Sequence, residues 1–488
     1  MNAAIESGGK ISRTLVGPET PSRRLFVKGA AGLGTVLTSS SLISVADAIR
    51  SPAQAQDEWG PFVPSSDSGR YLQLVHPPST IAGELQIGVR YTLWIPDGIK
   101  TVRAVIVHQH GAGIPAAQAG ATSAYDLHWQ ALAKKWDCVL LGPSYHVLND
   151  TIDLTPGGSE LWFDPRHGSD RAFLRALEDL AAMSGHAEIA SAPWCLWGHS
   201  GGGIWSNVLS TLHPDRVLAA FLRSGTATGF RTMPEFPQPQ VPPAVYEIPT
   251  MVNFGVGEKG RRPWDGSIST FQEYRAQGAP IGFAPDPRTD HFCGDSRYLA
   301  IPFFDACLQM RLTDWTNILK PVDMGPAWLA IPFSDTAVPA AEFKGDPQKA
   351  AWLPNTVVAK IWMEYVRTGT IGGTGEPPAP SSVQVKVDAA RGNEITWKAE
   401  VDLASGLGGF IVFRDGHGIA KLPTQIPDQV YGRPLFQGLS YHDTPIAPFP
   451  QMKYMDISAK AGVKHTYTLV ALNSAGVRSI PSLPAVVG

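Results

Sequence analysis

The spacing of apolar positions divides the chain into two regimes. From about Tyr71 to Ile371, short apolar runs alternate with longer amphipathic ones. Val102–His108 (VRAVIVH), Cys138–Leu141 with Gly142 and Pro143 after it, Trp194–Trp197, Val217–Leu222 and Met251–Phe254 read as buried strands bounded by Gly, Pro or Ser. Between them lie helical patterns. Over Ala172–Met183 the residues Phe173, Leu174, Leu177, Leu180 and Ala181 share one face, with Ser169 as N-cap and Gly185 as stop, and Ile204–Leu212 and Tyr298–Met310 are further helical runs. Strands alternating with helices predict an α/β architecture, a mainly parallel sheet covered on both faces.

The second regime begins after Gly369–Ser382 (GTIGGTGEPPAPSS), a composition that predicts a linker at 369–382. Beyond it, Ile395-Thr396-Trp397-Lys398 and Tyr467-Thr468-Leu469-Val470-Ala471 alternate with period two between turn signals, without a helical pattern. Residues 383–488 have the size of a β-sandwich, about 100 residues. The segment resembles a fibronectin type III domain: Trp397 stands at the early-strand core position, Phe410–Gly416 (FIVFRDG) looks like a C strand and turn, and Tyr467–Gly476 looks like an F strand with its corner tyrosine. A stretch from about Leu422 to Tyr454 departs from that pattern as an insertion.

Composition narrows the function classes. Of 488 residues, 43% are apolar and 17% charged, below the roughly 25% typical of soluble domains, so the chain is built to bury a large core. Forty Lys and Arg against 43 Asp and Glu leave a formal charge of −3 without a long run of either sign, which argues against a nucleic-acid partner. Four cysteines do not build a disulfide scaffold; Cys138 and Cys195 sit in apolar runs as buried thiols, and Cys293 with Cys307 is a candidate staple. Ser22-Arg23-Arg24-Leu25-Phe26-Val27-Lys28, followed by a weakly apolar Gly29–Val45 stretch, resembles a bacterial twin-arginine export signal, with Ala53-Gln54-Ala55 or Val45-Ala46-Asp47-Ala48 as cleavage sites. That resemblance implies a signal peptide over residues 1–55, contact with a membrane only during export, a periplasmic or extracellular destination, and a folded domain over 56–368.

One constellation carries chemistry. Trp194 to Gly203 (WCLWGHSGGG) is an apolar strand running into G-x-S-x-G and then into a helix. A serine on such a turn is lifted clear of the sheet, and the helix N-terminus behind it presents amides to a developing oxyanion. Ser200 is therefore the candidate nucleophile. It needs a base and an orienting acid, and in this arrangement both follow it in the chain. Glu258 ends the strand-like Pro249–Phe254 run in a Gly-rich turn and is the candidate acid, with Asp265 as its rival. His291, in a polar loop before the last helical run, is the candidate base; His213, His128 and His199 read as structural. The oxyanion hole is assigned to the N–H groups of Gly201 and Ala112, with Gly111 as the alternative to Ala112. Tyr145 and Trp162 are placed as substrate contacts on pocket walls. Asp164 and His167 lack a third ligand, so no metal is indicated, and with no phosphate-binding motif between a strand and a helix a nucleotide cofactor is not indicated either.

With these residues in place, 71–370 resembles an α/β-hydrolase of the dienelactone-hydrolase, feruloyl-esterase and polyhydroxyalkanoate-depolymerase branch. The resemblance implies hydrolysis of a small or polymer-linked carboxylic ester through an acyl-enzyme on Ser200, with the C-terminal domain as a spacer or a polymer- or carbohydrate-contacting module. A glutamate in place of the commoner aspartate, and serine where dienelactone enzymes carry cysteine, are departures. A peptidase or amidase on the same fold, and a non-catalytic surface-binding protein with a degenerate hydrolase domain, are the competing readings.

Overall fold

The computed structural model describes residues 69–147, 159–233, 236–314, 318–373, 375–388, 390–425, 431–460 and 462–488. The twin-arginine segment and its cleavage candidates lie outside the described residues.

The first regime builds one eight-stranded sheet. In chain order it consists of β1 (Gly69–His76), β2 (Val89–Pro96), β3 (Val105–Gln109), α1 (Ile114–Gly120), α2 (Leu127–Lys135), β4 (Val139–Tyr145), α3 (Ser169–Ser184), β5 (Trp194–His199), α4 (Gly201–Leu212), β6 (Val217–Arg223), β7 (Thr250–Gly255), α5 (Arg262–Ala276), β8 (Ile281–Asp286) and α6 (Arg297–Arg311). The strand order is β1-β2-β4-β3-β5-β6-β7-β8. Strands β3 to β8 run parallel, while β1 and β2 form an antiparallel edge joined to β4. The nucleophile strand β5 is thus central, between β3 and β6, where both faces are buried and a continuous apolar run is required.

Two details differ from expectation. Helix α3 starts at Ser169 itself, capped by Gly168 at φ 98°, because the serine hydroxyl is committed to the Trp162 carbonyl and to the Trp205 indole N–H. The β1–β2 edge has no counterpart among the strands expected from the sequence: β2 (VRYTLWIP) is buried throughout, Arg90 and Thr92 included, so the alternation of polar and apolar residues does not report its burial.

A small antiparallel sheet, β9 (Trp328–Ala330), β10 (Ala337–Pro339) and β11 (Ala351–Leu353), leads into α7 (Thr356–Thr368), which is capped by the Asn355 side chain and locked to β8 by Trp362 Nε1 on the Phe283 carbonyl. The C-terminal region holds β12 (Ser381–Asp388), β13 (Gly392–Lys398), β14 (Leu407–Arg414), β15 (His417–Leu422), β16 (Lys453–Asp456), β17 (His465–Asn473) and β18 (Ala485–Val487). They form antiparallel sheets of three (β12-β13-β16) and four strands (β15-β14-β17-β18). Ile395, Trp397, Phe410, Val412, Tyr467 and Leu469 fill the core of this unit, and the Tyr467 hydroxyl accepts from Asn393 and donates to Asp456.

The two regions belong to one compact unit. Residues 431–449 of the insertion leave the β-structure and lie against the large sheet's helices. Gln437 accepts from the Leu127 N–H and donates to the Tyr125 carbonyl, and buried Arg297 bridges Asp126 (2.7 Å) and Asp443 (2.7 Å). This C-terminal region is therefore not a tethered spacer. All four cysteines are free and buried, so the Cys293–Cys307 staple does not form; Cys307, on α6, faces Cys195 of β5, and burial pushes their thiols upward.

Candidate active site

Ser200 occupies the turn between β5 and α4 at φ 54°, ψ −117°, a conformation that costs a non-glycine residue on the order of 1–3 kcal/mol and persists because its surroundings impose it. Those surroundings demand glycine. A Cβ at Gly198 would lie 2.1 Å from the Gly202 carbonyl oxygen, and one at Gly202 would lie 2.4 Å from that of His110. The spacing of small residues around the serine is thus set by strand-to-helix contact.

His291 Nε2 stands 2.8 Å from Ser200 Oγ, and its Nδ1 stands 2.5 Å from Glu258 Oε1. A carboxylate only accepts, so Nδ1 carries the proton and Nε2 is free to accept the serine's. Glu258 is completely buried in the turn after β7, and its second oxygen accepts from Ser224 Oγ (2.7 Å) and the Gly255 N–H (3.1 Å). The rival Asp265 is exposed on the first turn of α5 and does not join this chain.

On the other side of the serine, the turn after β3 packs against the elbow. A Cβ at Gly111 would lie 3.2 Å from Ser200 Cβ, and one at Gly201 would lie 3.0 Å from the Ala112 nitrogen. The amides of Gly201 and Ala112 are therefore neighbours beside Ser200, and among the described hydrogen bonds neither is engaged. His110 fixes this turn: its Nδ1–H donates to the Gly111 carbonyl (2.5 Å) and its Nε2 accepts from the Tyr145 N–H (3.0 Å). Burial, opposed by that carbonyl and reinforced by His442 and His108, lowers its pKa to about 3, so the ring is neutral as the pair of bonds requires.

Tyr145 and Trp162 pack into the core beside the turn after β3. Both are buried, their rings stacked 4.3 Å apart, with Trp162 against His110. They buttress the turn from behind; from the same loop it is Phe163 whose Cβ approaches Gly201. The Asp164 carboxylate is taken by the Arg166 fork, and among the described residues no group of His, Cys, Asp and Glu is arranged to hold a metal. His213 pairs with Asp170 at the end of α4, and His128 is buried in α2 with Nε2 on the Leu403 carbonyl.

Three groups around the site were not anticipated. Arg223, buried at the end of β6, donates to Thr289 Oγ1 and to the Asp290 and Phe292 carbonyls, gripping the His291 loop from beneath. Ser224 supports the acid. An arginine and a serine closing a wholly apolar strand (VLAAFLRS) are the available signal for both. The third group, Tyr441 and His442, arrives from the insertion: Tyr441 rings with His291, Phe292 and His199, and His442 Nδ1 stands 3.0 Å from His199 Nδ1. Only the departure of this stretch from its neighbours' pattern marks it in the sequence.

No protein-family model and no curated protein sequence matches the chain. Among solved structures it is similar to an S-formylglutathione hydrolase from Agrobacterium tumefaciens (18% identity, 50% of this chain and 95% of that one, TM-score 0.34). It is similar to a thermostable esterase (14% identity, 44% of this chain, about half of that one at 54%, TM-score 0.31). A fibronectin type III-like protein from Clostridium thermocellum is matched over 23% of this chain and 94% of that one, at 18% identity and TM-score 0.16. The functional reading rests on the geometry of the site.

Proposed function

We propose that this chain is an exported serine hydrolase of the α/β-hydrolase type that cleaves carboxylic esters. The observation that carries the proposal is the continuous hydrogen-bonded series from Ser200 Oγ through His291 to buried Glu258. In the proposed reaction Ser200 Oγ attacks the ester carbonyl carbon while its proton passes to His291 Nε2. Glu258 holds the resulting imidazolium, and the Gly201 and Ala112 amides receive the charge on the carbonyl oxygen. His291 then gives its proton to the departing alkoxide. Water, deprotonated by the same nitrogen, attacks the acyl-serine; the acyl–Oγ bond breaks, Ser200 Oγ takes the proton back from His291, and the acid is released.

A glutamate serves as well as an aspartate here because the turn after β7 folds its longer side chain back, with the Gly255 N–H and Ser224 hydroxyl fixing one oxygen and leaving the other for His291. The twin-arginine-like leader supports delivery of this hydrolase outside the cytoplasm.

The test is labelling with a fluorophosphonate, followed by peptide mapping and an ester panel. Stoichiometric adduct on Ser200, abolished in Ser200→Ala, with turnover of esters in preference to matched anilides, is expected. Folded protein that takes up no label would sink the proposal in favour of a non-catalytic binding protein, and faster cleavage of anilides would favour an amidase.

A further inference from the structure

The insertion reaches the site by a defined route. Its tip is Tyr441-His442-Asp443. Asp443 sits at φ 61° and is completely buried; Arg297 donates to its carboxylate through Nε (2.7 Å) and to its carbonyl through an Nη (2.9 Å), and Trp129 Nε1 and His108 Nε2 complete the anchorage at 3.3 and 3.4 Å. Aspartate tolerates this left-handed backbone, and the contacts fix what the residue presents. It presents His442 to His199 and the Tyr441 carbonyl to the Cys293 N–H.

Hydrogen-bond geometry and burial together set the protons in this relay. His199 Nε2 lies 2.7 Å from the main-chain carbonyl of His291, which only accepts, so Nε2 carries the hydrogen. His199 is buried and its pKa lies well below the ordinary histidine value, through burial first and then the neighbouring His291 and His442, so its Nδ1 is bare. His442 Nδ1 must therefore be the donor across the 3.0 Å contact. The relay runs from His442 Nδ1–H to His199 Nδ1, and from His199 Nε2–H to the carbonyl of the residue that bears the base.

We infer that His442, carried by the C-terminal region, is a positioning residue for His291, acting through His199 to hold the main chain of the base in register with Ser200 and Glu258. The inference rests on the proposed hydrolase mechanism for its kinetic consequence, while the relay itself is a statement about tautomers. Arg223 holds the same loop from the sheet side, so the base is clamped between β6 and the insertion.

The test uses the full chain and two variants. Asn places an N–H donor at the same distance from Cβ as His Nδ1, whereas Phe fills the space without a donor, so His442→Asn is the rescue of His442→Phe. Nitrogen-15 histidine spectra of the wild type should show His442 as the Nδ1–H tautomer and His199 as the Nε2–H tautomer. His442→Phe should lower kcat, and the rate of fluorophosphonate capture at Ser200, by about tenfold or more with KM within about twofold, and His442→Asn should restore both to within about threefold of wild type. Thermal unfolding of both variants is measured alongside, so that a loss of fold is separated from a loss of register. The opposite tautomer on His442, equal rates for the Phe variant and wild type, or equal losses in Phe and Asn variants of matched stability each overturn the positioning role. A wild type with the expected tautomers but no capture at Ser200 locates the failure in the hydrolase reading, and overturns the kinetic role with it.

Discussion

Glu258 and His291 touch, yet they are held in unlike ways. The acid is held locally: its partners are Gly255, three residues before it, and Ser224, at the end of the adjacent parallel strand. The base is held from a distance, by Arg223 beneath and by an insertion of the C-terminal region above, through contacts that span from 66 to 243 positions of the chain. The lesson is that the position of the candidate acid is a property of the sheet, whereas that of the candidate base is a property of the whole described unit. Changes near Glu258 should alter chemistry with little change in stability, and changes at the insertion's anchor should alter both.

The sharpest break of this contrast is Glu258→Gln. The amide keeps the volume but removes the charge that orients and stabilises the His291 imidazolium, and a fall in kcat on the order of 10³–10⁴ is expected, with an unfolding midpoint close to wild type. Stopped or steady-state ester assays beside a melting curve check it; an unchanged kcat would remove Glu258 from the mechanism.

Next in size is the anchor. Asp443→Ala leaves a share of the Arg297 charge buried without its partner and is expected to destabilise the fold by about 3–5 kcal/mol, read as a lower denaturant midpoint. A variant as stable as wild type would mean that the insertion contributes nothing to the unit.

Three buried histidines, one of them on the insertion, make stability depend on pH. Burial is the first cause that lowers His442 to about 4, His128 to about 4 and His110 to about 3. In the unfolded chain these rings take up protons near pH 6.5, while in the folded chain they do not. Their contribution to stability is therefore fully present above about pH 6.5 and is lost as the pH falls, by up to about 1.4 kcal/mol per pH unit for each group until the folded value is reached. Urea midpoints between pH 7 and 5 should fall accordingly, and His442→Asn should make the slope shallower by one group's share; an identical slope in that variant would contradict the buried neutral ring.

The smallest effect is expected at Ser224→Ala, which removes one neutral donor from a carboxylate that keeps its Gly255 N–H. A loss of roughly 1–2 kcal/mol in transition-state stabilisation, about tenfold in kcat/KM, is expected from initial rates.

The division between local and distant support also explains what could be read from the sequence. The five buried strands, the elbow at Ser200, the candidate acid Glu258 and the candidate base His291 each have a local signature: an apolar run, a cluster of glycines, a polar residue just past a strand. The observed strands outrun the expected ones at His199 and Arg223 because these polar residues are buried by their roles beneath the catalytic loop, which hydropathy does not report. The packing of Tyr145 and Trp162 behind His110 has no local signature, because an aromatic past an apolar run reads the same whether it faces solvent or a buried ring. The insertion left no periodic trace at all, since its determinants are single contacts such as Asp443 with His108, 335 residues apart.

The Arg297–Asp443 contact has a temporal meaning as well. The tip of the insertion follows His291 by about 150 residues, and at roughly 5–20 residues per second a ribosome needs on the order of ten to thirty seconds to supply it. Throughout that interval the large sheet has its serine and its glutamate but only one of the two hands that grip the base. Arrival of the insertion is then the step expected to bring the candidate base into register, and a nascent chain stalled before Asp443 is expected to capture a fluorophosphonate at Ser200 more slowly than one that includes it.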